Sequence, residues 1–147
     1  MINKPIHIFL VGDDLDDRLL FKEAMQEVAP HVKLSLADGC NMLLMLAKTE
    51  KNKPDMILLD LNMPGLNGFE CLEAIKNKFT YGNIPILIYS TTANPEQVKK
   101  TYNKGATLYM QKPASFEGIK KLMNKVFLID LHDHLPAAVE SNMVLTA

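Results

Sequence analysis

Short apolar runs alternate along this chain with longer stretches whose apolar residues recur at helical spacing. The runs are four to six residues long, several are rich in β-branched residues, and most end at Gly, Asp or Pro, which is typical of buried strands. Five strands are predicted on this basis, at 6–11, 32–36, 56–59, 86–89 and 106–110.

Each predicted strand is followed by a predicted helix. Leu20, Ala24 and Val28 give the first helix one apolar face. The last helix has the clearest pattern, with apolar residues at i, i+3, i+4 and i+7: Ile119, Leu122, Met123 and Val126. Asn94 before Pro95 and Ser115 before Phe116 predict the N-caps of the fourth and fifth helices.

Strict alternation of strand and helix predicts an α/β fold, a mainly parallel sheet with helices on both faces. Ligands of such folds bind beyond the C-terminal ends of the strands. The residues that directly follow the strands are therefore the candidate site residues.

Side chains that can bind a ligand or take part in a reaction follow four of the five strands. They are Asp13 and Asp14, Asp60, Ser90 with Thr91 and Thr92, and Lys112. Because carboxylates from two different strands would converge at this edge and repel one another, they need a cation. A set of oxygen ligands suits Mg²⁺. The sequence thus predicts a magnesium-dependent site at this edge of the sheet.

Four segments resemble the response-regulator receiver domains of two-component signalling: 10–18, 55–68, 85–90 and 105–113. The resemblance covers residues 5–127, leaves 128–147 as a tail, and is to single-domain, stand-alone receivers of the chemotaxis and phytochrome-associated types. It implies a flavodoxin-like fold with strand order 2-1-3-4-5. It also implies a signalling domain in place of a conventional enzyme.

The resemblance assigns a role to each candidate residue. Asp60 is expected to take a phosphoryl group from a sensor histidine kinase or a histidine phosphotransfer protein. Asp13, Asp60 and the backbone carbonyl of Asn62 are expected to hold Mg²⁺. Lys112 is expected to pair with Asp60 and then with the phosphoryl oxygens. The Lys112–Pro113 bond is expected to be cis, which would aim the Lys112 side chain inward.

Two further residues are expected to transmit the signal. Ser90 is expected to hydrogen-bond the phosphoryl group, and Tyr109 to change rotamer with it. The fourth helix, fifth strand and fifth helix are then the face that changes on phosphorylation, through a shift between two packings.

Gly12 is a departure from the family pattern, which has two acidic residues directly after the first strand. One register places Gly12 and Asp13 at those positions, and it also keeps Asp16, Asp17 and Arg18 aligned. A register one residue later makes Asp13 and Asp14 the pair. We prefer the first, which predicts weaker metal binding; Asp14 is then a further candidate ligand.

Composition excludes several classes of function. The 147 residues are 48% hydrophobic, enough for one sizeable core. The net charge of −1 argues against non-specific nucleic-acid binding.

The apolar N-terminal run is too short for a membrane span, so we expect a cytoplasmic protein with no membrane partner. Cys40 and Cys71 are expected to be free thiols that pack as small apolar side chains.

The tail holds apolar residues spaced by four: Leu131, Leu135, Val139 and Met143. This spacing is consistent with an extra helix that packs on the domain or on a second copy, forming a homodimer, and also with a disordered tail. His132 and His134 would point apart on a helix and lack a cysteine cluster, which favours a solvated tail over a metal site.

Two functions fit these observations. The first is a stand-alone phosphorylation switch, and the second, favoured only by Gly12, is a phosphorylation-independent protein-interaction module with a weakened metal site. A nucleotide- or flavin-binding domain is disfavoured, because no Gly-rich phosphate loop follows the first strand.

Overall fold

The structure, a computed structural model, describes residues 6–49, 53–61, 68–77, 83–129 and 143–147. The described strands are β1 (His7–Val11), β2 (Lys33–Ala37), β3 (Met56–Leu59), β4 (Ile86–Ser90), β5 (Leu108–Gln111) and β6 (Val144–Leu145). They form one parallel sheet in the order β2-β1-β3-β4-β5-β6. The predicted order 2-1-3-4-5 is confirmed. The short strand β6 extends the five predicted strands beyond β5.

The described helices are α1 (Leu15–Val28), α2 (Cys40–Thr49), α3 (Gly68–Asn77), α4 (Pro95–Asn103) and α5 (Phe116–Phe127). Both predicted caps are confirmed. The Asn94 side chain accepts from the N–H groups of Glu96 and Gln97, and Ser115 Oγ accepts from the Gly118 N–H. Each cap satisfies amide groups that have no partner within the helix.

Alternate residues of each strand enter two different cores. Ile8 and Leu10 of β1 face α1 and α5, whereas Phe9 and Val11 face α2, α3 and α4. The four apolar residues predicted for α5 are all buried. In α1 the buried positions are Phe21, Ala24 and Met25, and the predicted Leu20 and Val28 pack half-buried beside them. Helices thus cover both faces of the sheet, as predicted.

Cys40 of α2 and Cys71 of α3 form a disulfide, with Cα atoms 5.6 Å apart. The expectation of free thiols was wrong. Both helices pack on the same face of the sheet, and both sulfurs point into the same core. Helical periodicity could place each cysteine on the apolar face of its helix. It could not show that the apolar faces of these two helices lie side by side.

Two further expectations are corrected. The described residues contain no cis peptide bond, so the Lys112–Pro113 bond is trans, the lower-energy isomer. The end of the tail is a strand where a helix was considered, because the free edge of β5 offers backbone partners to residues 144–145. The tail positions from Leu131 to Val139, with His132 and His134, lie outside the described residues.

In the described part of the chain, no helix is both long enough and apolar enough to cross a membrane.

Candidate phosphoacceptor site

Asp60 lies directly after β3, near the centre of the sheet, and only 8% of its surface is exposed. Its backbone N–H donates to the carbonyl of Val11 at the end of β1, 2.9 Å away. Gly68, the first residue of α3, packs directly on this strand end. A Cβ there would lie 2.4 Å from Leu61 Cα and 2.8 Å from the Asp60 carbonyl oxygen, so only glycine fits. Contacts from β1 and α3 thereby fix the backbone of Asp60 at the end of β3.

Lys112 reaches Asp60 from the end of β5. Its Nζ lies 3.0 Å from Asp60 Oδ2 and 2.8 Å from Asp17 Oδ2, so one ammonium bridges two carboxylates. The ammonium also lies 5.3 Å from the centroid of the Tyr89 ring. The backbone N–H of Lys112 donates to the Ser90 carbonyl at 2.7 Å, which ties the end of β5 to the end of β4. The predicted Asp60–Lys112 pair is therefore brought together.

Burial and charge act in opposite directions on the Lys112 ammonium. Burial lowers its pKa, but hydrogen bonds and attraction from Asp17 and Asp60 outweigh burial and leave the pKa raised. The pKa of the neighbouring Tyr89 hydroxyl is raised by burial first, and then by the negative charges of Asp17 and Asp60. Lys112 is thus held as a cation beside Asp60.

Asp17 is a site residue that the sequence interpretation missed. In the sequence, Asp17 served only to choose between the two registers at Gly12. Asp17 lies four residues before Phe21, which is fully buried against the sheet. Residues at i and i+4 share a helix face, so this spacing was an available signal that Asp17 lies over the end of the sheet.

A small cavity at this edge is lined by Gly12, Asp14, Asp17, Asp60 and Lys112, together with Arg18, Leu10, Val11 and Tyr89. Asp13 is exposed and does not line this cavity. Asp14 lines it and also caps α1, since its Oδ1 accepts from the Asp17 N–H at 3.1 Å. The Arg18 guanidinium donates to the Gly12 carbonyl. Asn62 lies outside the described residues.

Ser90 and Tyr109 are both fully buried next to this edge. The Tyr109 hydroxyl donates to the carbonyl of Thr92 at 2.7 Å, and the Thr92 N–H donates to Ser90 Oγ at 3.3 Å. Burial raises the pKa of the Tyr109 hydroxyl, a hydrogen bond with Ser90 lowers it, and the charge of Asp60 raises it, with a net increase. The two residues expected to act as a switch are therefore in one hydrogen-bonded group.

The donors at this edge fit a hard divalent cation by their chemistry. They are the carboxylate oxygens of Asp14, Asp17 and Asp60. These three carboxylates outnumber the two cations that also line the cavity, the Lys112 ammonium and the Arg18 guanidinium. Within the described ranges, no three His, Cys, Asp or Glu side chains converge on a single metal position. Mg²⁺ needs no such cluster, because it is commonly bound through one or two carboxylates and keeps several waters.

Comparison with known proteins gives one consistent family. The model of the response regulator receiver domain family matches residues 8–124. Among curated proteins, the chain is 28% identical to the two-component response regulator ARR17 of Arabidopsis thaliana, over 82% of this chain and 84% of that protein. It is 27% identical to the chemotaxis protein CheY-3 of Vibrio cholerae, over 86% of this chain and 95% of that protein.

Solved structures agree in fold. The phosphorylated cyanobacterial phytochrome response regulator RcpA superposes with a TM-score of 0.78 at 26% identity, covering 91% of this chain and all of that one. The Mn²⁺-bound form of response regulator Rcp1 superposes with a TM-score of 0.74 at 25% identity, covering 90% of this chain and all of that one. Both therefore share the fold of this chain over most of its length.

Proposed function

Since this chain belongs to the response regulator receiver domain family, we propose that it is a stand-alone receiver that accepts a phosphoryl group on Asp60. The donor is a phosphohistidine of a sensor histidine kinase or of a histidine phosphotransfer protein. Residues 5–127 act as the receiver domain and residues 128–147 as its tail. The observation that carries the proposal is the contact of buried Asp60 with Lys112 at the end of the central strand.

The reaction forms a bond between an Asp60 carboxylate oxygen and phosphorus, while the bond from phosphorus to the donor histidine nitrogen breaks. Such a transfer needs mainly positioning and charge neutralisation. Val11 and Gly68 fix the position of Asp60 through the contacts of β1 and α3. Lys112, whose raised pKa keeps it charged, offsets the negative charge of the phosphoryl oxygens.

Asp13, Asp60 and the backbone carbonyl of Asn62 are the proposed Mg²⁺ ligands, with Asp14 as an additional candidate. Mg²⁺ would supply further neutralisation of the phosphoryl charge. The Mn²⁺-bound Rcp1 relative supports a divalent cation as the cofactor of this fold.

The proposed output is a change in a protein-binding surface. Ser90 would donate to a phosphoryl oxygen, and Tyr109 would report this change to the surface built from α4, β5 and α5. The two side chains are linked through Thr92. This arrangement supports a signalling role in which the phosphorylated protein binds a downstream protein.

The proposal is tested by incubating the protein with a small phosphodonor and Mg²⁺ and measuring its intact mass. We expect the mass gain of one phosphoryl group, and we expect Asp60→Asn to abolish it. Asp55→Asn is the matched control, because Asp55 precedes β3 at the opposite end of that strand, where its carboxylate accepts a hydrogen bond from the His7 N–H. Full labelling of Asp60→Asn would overturn the assignment.

A phosphorylation-independent interaction module is the second candidate, and Gly12 is the residue that favours it. Gly12 brings no carboxylate to the site, so metal binding is weaker than with an acidic residue there. The same mass measurement over a series of Mg²⁺ concentrations separates the two. Absence of labelling at every concentration, in a folded protein, would favour the module.

A further inference from the structure

The last residues of the chain pair with the edge of the strand that carries Tyr109. Val144 of β6 is aligned with Tyr109 of β5, and Leu145 with Met110, in parallel register. A sheet edge otherwise presents unpaired N–H and C=O groups to other chains. Residues 143–147, which we call the strap, therefore close one edge of the sheet.

The strap is held by all three elements of the proposed output surface. The Lys125 ammonium of α5 donates to the Thr146 carbonyl at 2.8 Å, and the Tyr102 hydroxyl of α4 donates to the Met143 carbonyl at 2.7 Å. Val144 packs against the core that contains Tyr109, and Leu145 packs against the core on the other face. The strap therefore depends on the relative positions of α4, β5 and α5.

A continuous series of hydrogen bonds links the strap to Ser90. The Tyr102 hydroxyl, which donates to the strap, also accepts from the Tyr109 backbone N–H at 3.0 Å. The Tyr109 hydroxyl donates to the Thr92 carbonyl, and the Thr92 N–H donates to Ser90 Oγ. Both tyrosines are therefore placed between the strap and the residue expected to contact the phosphoryl group.

We infer that docking of the strap on β5 is coupled to the phosphorylation state of Asp60 through Tyr102 and Tyr109. The inference rests on the proposed function and goes beyond it, because it gives the tail a regulatory role. The docked strap also occupies the edge that an extended segment of a partner protein would otherwise pair with.

The sign of the coupling follows from the hydrogen-bonding capacity of Ser90. A serine hydroxyl has one proton and two lone pairs, so Ser90 can donate to a phosphoryl oxygen and still accept from the Thr92 N–H. Fixing Ser90 then fixes Thr92, whose carbonyl holds the buried Tyr109 hydroxyl. Phosphorylation and strap docking favour the same arrangement, and by linkage each strengthens the other by the same factor.

Hydrogen exchange on the full chain tests the coupling, with beryllofluoride and Mg²⁺ as a phosphoryl analogue. We expect exchange of the amides in β5 and in residues 143–147 to slow by about fivefold or more when the analogue binds. Unchanged exchange, or faster exchange in the strap, would overturn the inference.

Tyr102→Phe removes the linking hydroxyl and keeps the ring. In this variant we expect the analogue to lose its effect on the strap. Lys125→Met is the matched control, because it removes a strap contact that is outside the series to Ser90, and the analogue effect should persist. An effect of the same size in Tyr102→Phe as in the wild type would contradict the coupling.

A chain that ends at Asn142 gives the reciprocal measurement. Lacking the strap, it should bind beryllofluoride about fivefold or more weakly than the full chain, and equal affinity would overturn the inference. Light scattering on the full chain should give the monomer mass. A dimer that keeps the same protection would mean that the strap comes from a second copy, contrary to the inference.

Failure of the proposed function is recognised separately, by the absence of a mass gain on Asp60. The link from strap to Tyr109 then remains testable on the unphosphorylated protein. In the chain that ends at Asn142, exchange of residues 89–92 should be faster than in the full chain. Equal exchange in that segment would overturn the link.

Discussion

At the residue scale, the site consists of one ammonium held between two carboxylates of unequal exposure. The Asp60 side chain is 12% exposed and that of Asp17 is 43% exposed, so the Asp60–Lys112 contact is the better shielded from water. Shielded ion pairs are screened less by water and salt than exposed ones. The contact with Asp17 helps to hold Lys112 at the site. The contact with Asp60 is the less screened of the two and is therefore the stronger ion pair.

Replacing Lys112 should destabilise the protein in a pH-dependent way. Because the folded-state pKa of Lys112 is raised above its ordinary 10.5, its stabilisation is fully present below that pH and is lost as pH rises through the folded-state pKa. We expect Lys112→Met to lower the free energy of unfolding by about 2 kcal/mol at neutral pH, and by less at strongly alkaline pH.

Urea unfolding of both proteins at several pH values measures this difference. Lys120→Met is the matched control, since Lys120 also contacts two carboxylates, those of Glu27 and Glu117, but on the surface. It should change stability much less. A Lys112→Met deficit that stays constant far above pH 10.5 would show that the ion pairs do not carry it.

Gly12→Asp should lower the Mg²⁺ concentration needed for phosphorylation. A Cβ at Gly12 would lie 3.5 Å from Asp60 Cβ and 3.7 Å from Asp60 Oδ2, an ordinary contact distance, so a carboxylate there would face Asp60. Such a group would reach Mg²⁺ through water, and losses of outer ligands typically weaken metal binding by about 10–100-fold. We expect the wild type to be phosphorylated as well, but at higher Mg²⁺ concentrations than Gly12→Asp.

The measurement is the extent of phosphorylation over a Mg²⁺ titration. Gly12→Asn is the control that adds a similar shape without charge. Identical titrations for the wild type and Gly12→Asp would favour the other register, in which Asp13 and Asp14 are the acidic pair.

At the element scale, the disulfide joins two neighbouring helices on one face of the sheet. Cys40 and Cys71 are 31 residues apart, and they link the first turns of α2 and α3. The closed segment includes β3 and Asp60. The disulfide therefore restrains the part of the chain that leads into and out of Asp60, the proposed phosphoacceptor.

Reduction of this disulfide should destabilise the protein. Closing a loop of this length removes conformational entropy from the unfolded chain and contributes about 3–4 kcal/mol. We expect a thiol reductant to lower the free energy of unfolding by that amount, measured by urea denaturation. The Cys40→Ala, Cys71→Ala double variant should not respond to reductant, because the sequence contains only these two cysteines. An oxidised wild type with the same stability as its reduced form would contradict the prediction.

At the scale of the whole molecule, the described end of the chain is part of the sheet, through Val144 and Leu145. The strap pairs with β5, receives hydrogen bonds from α4 and α5, and places Val144 and Leu145 against the two cores. The strap thus contacts α4, β5 and α5 together.

Truncation after Phe127 should lower stability. It exposes the edge of β5 and removes the contacts of Tyr102 and Lys125 with the strap, with an expected loss of about 1–3 kcal/mol. Urea unfolding measures the loss, and light scattering shows whether the tail also controls oligomeric state, as the homodimer hypothesis requires.

A chain that ends at Asn142 is the control, because it removes the strap alone. Unchanged stability and mass after truncation at Phe127 would reject a structural role for the tail.

The sequence by itself determined the elements and the edge of the sheet where the site lies. The α5 face, the caps at Asn94 and Ser115, and the apolar run ending at Asp60 are local patterns, set by side chains within a few residues of each other. Parallel α/β topology then brings strand ends to one edge. The receiver-domain resemblance added the strand order and the pairing of Lys112 with Asp60.

The tertiary structure decided the contacts between residues that no local pattern relates. Asp17 and Lys112 are 95 residues apart, Cys40 and Cys71 are 31 apart, and Tyr102 and Met143 are 41 apart. Each pair depends on which helix faces and strand edges come together, and that depends on the packing of the whole chain. Helical periodicity can place Asp17 or Cys71 on an inner face, but only the packed structure selects the residue it meets.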